Sequence, residues 1–232
     1  MLSLFSCRLF TATAQHSPVI CFTFDDQHLG VYTNALPIMA EYEFRGTCFV
    51  NTNELGKPEN LSIALLQELH NSWNWEIGGH TLNHEQLPYL EYNEAEIAIA
   101  EDYWNLKNWN LNPQSFALPR GECPAEYFSI INRYYTNIRG SSDFSMFIPI
   151  NPKSLGYLAF QSNWSAEIIK ERIRRGIANS ERLIIIGFHQ IGAENSEYVS
   201  NCPVSTFSDI MSWTNSMGLQ VLPLSEAVKQ LK

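Results

Sequence analysis

Val19-Ile20-Cys21-Phe22-Thr23-Phe24-Asp25-Asp26 is the stretch on which the reading of the fold turns. Six residues rich in β-branched and aromatic side chains read as a buried strand. Two carboxylates follow at once, where such a strand would end. The bland reading of an Asp-Asp there is a helix N-cap with a solvated neighbour. The functional reading divides the labour: one carboxylate binds a cation, and the other, held close, works as a base.

The same arrangement recurs outward from this stretch. Gly46-Thr47-Cys48-Phe49-Val50, Glu76-Ile77-Gly78-Gly79-His80, Ser115-Phe116-Ala117-Leu118, the apolar run over 182–188 and Gln220-Val221-Leu222-Pro223 all read as strands. Helical patterns fall between them. One is expected over 32–42, provided Pro37 falls in its first turn. Another covers 62–71, with Ile63, Leu65, Leu66 and Leu69 near helical spacing. A longer one runs over 93–109, with Asn93 as N-cap and Glu96 completing a capping-box pair. Two more are expected over 166–178 and 206–217. Strand and helix in alternation mean a parallel sheet with crossover helices. Polar residues cluster at the C-terminal ends of separate strands: Asp25 and Asp26, His80, Pro119 and Arg120, and His189. A barrel gathers such ends around one mouth, so the expected fold is α/β, a distorted (β/α) barrel with seven or so parallel strands.

At 232 residues the chain suits one domain with a substantial core. A net charge of −9 argues against nucleic acid, whose binding needs Lys and Arg against phosphates. No apolar run is long enough for a membrane span. The five cysteines form no C-x-x-C pair and are read as reduced and structural. The first residues, MLSLFSCRLFTATAQ, carry an apolar stretch and Ala12-Thr13-Ala14 but no basic start. They read as a leader over 1–17, either a remnant signal segment or a plain disordered one, with a single domain over 18–232.

The chemistry-bearing residues are weak signals one by one. His80 and His84 are four apart, a spacing that on a helical turn lets both rings grip one ion. Two histidines and a carboxylate with open positions form a ligand set for a catalytic Zn²⁺ or similar divalent ion. His189 ends the apolar strand. It reads either as a core histidine bonded to a carbonyl or as a ligand or general acid titrating near neutrality.

Taken in order, Thr23-Phe24-Asp25-Asp26, His80-Thr81-Leu82-Asn83-His84, Phe116-Ala117-Leu118-Pro119-Arg120-Gly121 and Gly187-Phe188-His189 resemble the successive motifs of the NodB-homology polysaccharide deacetylases, carbohydrate esterase family four. The resemblance runs from about Val19 to the C-terminus. It implies a catalytic domain over 18–232 that removes N-acetyl groups from an amino-sugar polymer or oligosaccharide. It further implies that Asp26, His80 and His84 hold one divalent metal ion, Zn²⁺ with Co²⁺ or Ni²⁺ as alternatives. Asp25 is then the base and His189 the acid, with Pro119 and Arg120 at the oxyanion and substrate side. A secreted or periplasmic location is favoured over a cytoplasmic one. Hydrolysis of another small amide or ester, and a non-catalytic glycan-binding barrel, are the competing readings.

Three positions depart from the family pattern. Gln27 follows the paired aspartates where glycine is common. Ala117 replaces an arginine that orients the base, though members acting on poly-N-acetylglucosamine carry a similar Phe-Ala-x-Pro-x-Gly; Arg120 is a candidate to compensate. Gly187 replaces a leucine, so the pocket for the acetyl methyl should be wider or lined by other residues. Asp143 and Trp164 are candidates for the family's tryptophan-bearing motif, with a structural role the safer reading for both. His28, beside the metal motif, reads as a loop histidine.

Overall fold

A computed structural model describes residues 17–196, 198 and 200–232. All but the last residue of the leader read over 1–17, Cys7 included, lies outside the described residues. In chain order the strands of the main sheet are β1 (Val19–Phe24), β2 (Thr47–Val50), β3 (Glu76–Gly79), β4 (Ser115–Ala117), β5 (Asn137–Arg139), β6 (Leu158–Ala159) and β7 (Leu183–Phe188). They form one seven-stranded sheet ordered β5-β4-β3-β2-β1-β7-β6, with every pairing parallel. β5 and β6 do not pair directly. The chain before β6 closes part of the gap: Arg139 bridges to Leu155, and Gly140 N–H donates to the Leu155 carbonyl at 2.9 Å. This is the distorted (β/α) barrel expected from the pattern.

The helices are α1 (Leu36–Ala40), α2 (Ile63–Asn71), α3 (Tyr92–Asn108), α4 (Phe128–Tyr134), α5 (Ala166–Ala178), α6 (Val204–Ser216) and α7 (Leu224–Gln230). Alternation along the strands splits the core into two faces. Ile20, Phe22 and Phe24 of β1 pack outward with residues of α1, α2, α5 and α6. Val19 and Cys21 face the barrel interior with Leu183 and Ile185, over Leu224, Ala227, Val228 and Leu231 of α7. The C-terminal helix therefore plugs one end of the barrel and leaves the strand C-termini as its mouth.

Several elements differ from the sequence reading in detail. The helix expected over 32–42 divides into a wide π turn, Val31–Ala35, and α1. Pro37 then sits at the second position of α1, where its missing N–H costs nothing. The α3 N-terminus lies two residues earlier than Asn93: Glu91 is the N-cap, and its N–H donates to the Glu94 carboxylate at 3.0 Å. The strand expected over 220–223 is a single parallel bridge between Ile20 and Val221, because α7 begins at Leu224. Two short strands, β8 (Gln190–Gly192) and β9 (Asn201–Pro203), form a separate parallel pair above the mouth side of β7. Cys21, Cys48, Cys123 and Cys202 are free thiols, as read. No helix among the described residues is long and apolar enough to cross a membrane.

Candidate active site

β1 delivers Asp25 and Asp26 to the mouth, held in register where Asp25 N–H donates to the Phe188 carbonyl of β7 at 2.9 Å. The chain then turns through two left-handed residues, Asp26 (φ 65°) and Gln27 (φ 44°). A glycine would adopt these angles freely. Gln27 is held there instead by hydrogen bonds: its side-chain oxygen accepts Asn51 N–H at 2.7 Å and its carbonyl accepts Leu61 N–H at 2.8 Å.

β3 delivers the histidine pair. His80 and His84 do not share a helical turn; they converge through a loop in which Thr81 (φ 69°) and His84 (φ 60°) are left-handed. Their ring centroids are 4.9 Å apart. The His80 Nδ1 lies 2.8 Å from the Ala117 carbonyl, which can only accept, so Nδ1 carries the proton and Nε2 presents its lone pair. Burial lowers the His80 pKa, against the pull of Asp25 and Asp26, and this favours the neutral, ligating ring.

Asp26 Oδ1 is buried and has no hydrogen-bond partner among the described residues, with His80 Nε2 at 3.6 Å and His84 Nε2 at 3.7 Å. The three donor atoms lie within 4.8 Å of one another. An orphaned carboxylate oxygen between two imidazole nitrogens fits a divalent cation, because a buried anion otherwise stays uncompensated. His189 Nε2 approaches Asp26 Oδ2 from the other side at 3.9 Å, while its Nδ1 is buried without a partner among the described residues.

Asp25 faces inward and meets a residue the sequence reading missed. Arg139, from β5, donates through Nη2 to Asp25 Oδ1 at 2.9 Å and Oδ2 at 2.7 Å. Both side chains are almost wholly buried, at 1% and 4% exposure. Burial alone would raise the Asp25 pKa, but Arg139, aided by His80 and His189, outweighs it and holds the carboxyl below its ordinary value. The arginine absent at Ala117 is thus replaced from the neighbouring strand. It is not replaced by Arg120, which is left-handed (φ 54°), exposed, and at the rim.

Tyr157 locks this arrangement. Its ring lies 3.7 Å from the Arg139 guanidinium carbon, with Phe49 at 4.9 Å. It takes its place because residue 187 has no side chain: a Cβ there would fall 2.3 Å from Tyr157 Cε2. The space left by the missing leucine is therefore filled, not widened.

Asp25, Asp26, His80, His84, Arg120 and His189 share one cavity of about 240 Å³, walled further by Tyr157 and Tyr198. Pro119 is buried beneath the Arg120 turn. His28 sits at the rim, its Nε2 3.0 Å from the Tyr198 hydroxyl. Asp143 pairs with Arg172 at 2.8 Å and Trp164 packs against Phe160, and neither lines this cavity. A larger cavity of about 370 Å³, between Arg45, Glu76 and Glu226 at the other end of the barrel, contains none of these groups.

A sequence-family model described as polysaccharide deacetylase matches residues 12–137. The poly-beta-1,6-N-acetyl-D-glucosamine N-deacetylase of Staphylococcus epidermidis is 26% identical over a stretch covering 44% of this chain and 40% of that protein. Among solved structures, the CE4 domain of a multidomain xylanase from the hindgut metagenome of Trinervitermes trinervoides is similar at a TM-score of 0.63. It has 13% identity and covers 93% of this chain and 91% of that one. A CE4-family pseudoenzyme from Bacillus anthracis is similar at a TM-score of 0.63 and 12% identity, over 92% of this chain and 66% of that one.

Proposed function

Because the chain belongs to the polysaccharide deacetylase family, we propose that it is a metal-dependent hydrolase removing N-acetyl groups from an amino-sugar polymer. The substrate class we assign is poly-N-acetylglucosamine-like, after the Staphylococcus epidermidis relative. The observation that carries the reading is the orphaned Asp26 Oδ1 between His80 and His84, beside a base-like Asp25 and within reach of His189.

When bound by Asp26, His80 and His84, a divalent cation, Zn²⁺ in this reading with Co²⁺ or Ni²⁺ as alternatives, supplies Lewis acidity to a carbonyl oxygen and to a nearby water. The chain's own residues do the rest. Asp25, kept ionised by Arg139, takes a proton from the water that attacks the acetamide carbon. Arg139 uses one nitrogen for both carboxylate oxygens, which keeps further lone pairs of Asp25 open to that proton. The Arg120 backbone N–H is the donor assigned to the developing oxyanion, and Pro119 shapes the turn that carries it. His189 gives a proton to the amine nitrogen as the C–N bond breaks, leaving acetate and a free amino sugar. A secreted or periplasmic location goes with such a substrate.

A second reading, a barrel that binds glycan without turnover, draws on the Nδ1 of His189, which no hydrogen bond among the described residues holds to one tautomer. The two separate on acetate release from N-acetylglucosamine oligomers by metal-stripped protein, with and without Zn²⁺ or Co²⁺, beside Asp25→Asn. Metal-restored release that Asp25→Asn abolishes is expected. Metal binding with no release from any oligomer would remove the deacetylase reading and leave the binding barrel or another acylated substrate.

A further inference from the structure

Behind the metal motif lies a buried carboxylate for which the proposed reaction has no use. Asp102, on α3, is completely buried. It gathers donors from three separate elements. Oδ1 accepts the Thr52 N–H just beyond β2, at 3.2 Å. Oδ2 accepts the His80 N–H just beyond β3, at 3.2 Å, and the Tyr135 hydroxyl at the end of α4, at 3.4 Å. One helical turn along, Asn105 Nδ2 donates to Thr52 Oγ1 at 3.1 Å, so the same helix holds this loop twice.

The residue before His80 is shaped to admit the contact. A Cβ on Gly79 would lie 2.6 Å from Asp102 Oδ2 and 2.1 Å from the Tyr135 hydroxyl oxygen. No side chain fits at that position unless the carboxylate leaves the His80 N–H. His80 is gripped at two further points: its carbonyl accepts from Asn51 Nδ2, and its ring Nδ1 bonds the Ala117 carbonyl. Of these three holds, the one on the backbone N–H acts where the residue leaves the end of β3. A buried carboxylate is costly to keep in a protein interior unless its partners are satisfied. Here two of its partners are the backbone amides of the two loops that frame the metal motif.

We propose that Asp102 is a positioning residue for the metal site, fixing the His80 backbone so that Nε2 meets Asp26 and His84 at one point. The inference rests on reading Asp26, His80 and His84 as the cation site. Outer groups that orient metal ligands are typically worth 10- to 100-fold in metal affinity. A carboxylate that merely pinned α3 to the sheet would change stability and leave affinity alone.

The test uses the full chain, metal-stripped, as wild type, Asp102→Ala and Asp102→Asn. Each is titrated with Zn²⁺ against a chromophoric chelator, and with Co²⁺ followed by visible absorption, after near-UV circular dichroism has shown native packing. Asp102→Ala is expected to weaken Zn²⁺ binding about 10- to 100-fold and to alter the Co²⁺ band. Asp102→Asn keeps the side-chain shape and one acceptor oxygen, so a smaller loss is expected, and it remains informative if the alanine variant fails to fold. Folded variants that bind Zn²⁺ as tightly as wild type, with an unchanged Co²⁺ band, overturn the proposal. A wild type that binds neither ion overturns it together with the metal-site reading. A wild type that binds metal, shows the Asp102-dependent loss and releases no acetate supports the positioning role and removes only the deacetylase reading.

Discussion

Arg139→Met takes away the guanidinium that faces Asp25 in the barrel interior and leaves a carboxylate of 4% exposure without its cation. The two bonds lost measure 2.7 and 2.9 Å. Removing one partner of so buried a pair costs about 3–5 kcal/mol, because the remaining charge is stranded. For a domain of this size each kcal/mol moves the melting temperature by about 2–4 °C, so Arg139→Met should melt about 6–20 °C below wild type. Adding Asp25→Asn removes the stranded charge. The double variant should therefore recover most of the loss, a coupling of the same order as the single penalty. Arg120→Ala is the control: an exposed side chain whose removal should change stability by no more than about 0.5 kcal/mol. Acid provides a second check. The Asp25 pKa lies below its unfolded value of about 3.9, so the pair's contribution is complete above that pH and fades as the pH falls through the folded value. The Arg139→Met penalty should shrink accordingly below about pH 4. Thermal melts of the metal-free proteins by circular dichroism read all of this. A single variant within about 2 °C of wild type, or a double variant as unstable as the sum of the singles, would refute the pairing argument.

Three other outcomes are expected. Gly187→Ala drives a methyl group into the Tyr157 ring and should cost about 1–3 kcal/mol in a denaturant melt; an unchanged midpoint would mean that Tyr157 is not tightly seated over Arg139. Zn²⁺ at 100 times its dissociation constant should stabilise the wild type by about 2.7 kcal/mol, and His84→Ala should lose most of that shift; equal shifts in both proteins would put the ion elsewhere. Burial raises the pKa of Glu76, against hydrogen bonds from Thr47 and Ser225, so its contribution to stability is complete below the unfolded value of about 4.3 and lost as the pH rises through the folded one. Glu76→Gln should therefore gain stability relative to wild type between pH 4 and pH 8, and a difference that stays constant across that range would contradict the shift.

The sequence by itself determined the scaffold and which polar residues gather at its mouth. Buried strands such as β1 and β7 are written locally, as runs of β-branched and aromatic residues, and the polar residues that end them are local too. That is why Asp25, Asp26, His80, His84 and His189 were legible and share one cavity. Not every short element was legible, although β4, of three residues, reads as a strand. β5 has three residues and β6 two, too few for a period to show, and the strand expected near Val221 proved to be a single bridge. The route by which His80 and His84 converge was not legible, because a spacing of four does not reveal the left-handed angles at Thr81 and His84. What surrounds the site was decided only by the tertiary structure. Arg139 meets Asp25 across 114 positions of chain, Tyr157 fits over Gly187, and Asp102 reaches back to His80 past Gly79. Each of these depends on the order and register of strands in a closing sheet, and on which side chain leaves room for another. Such relations are between residues far apart in sequence, and no local pattern of hydrophobicity or charge encodes them.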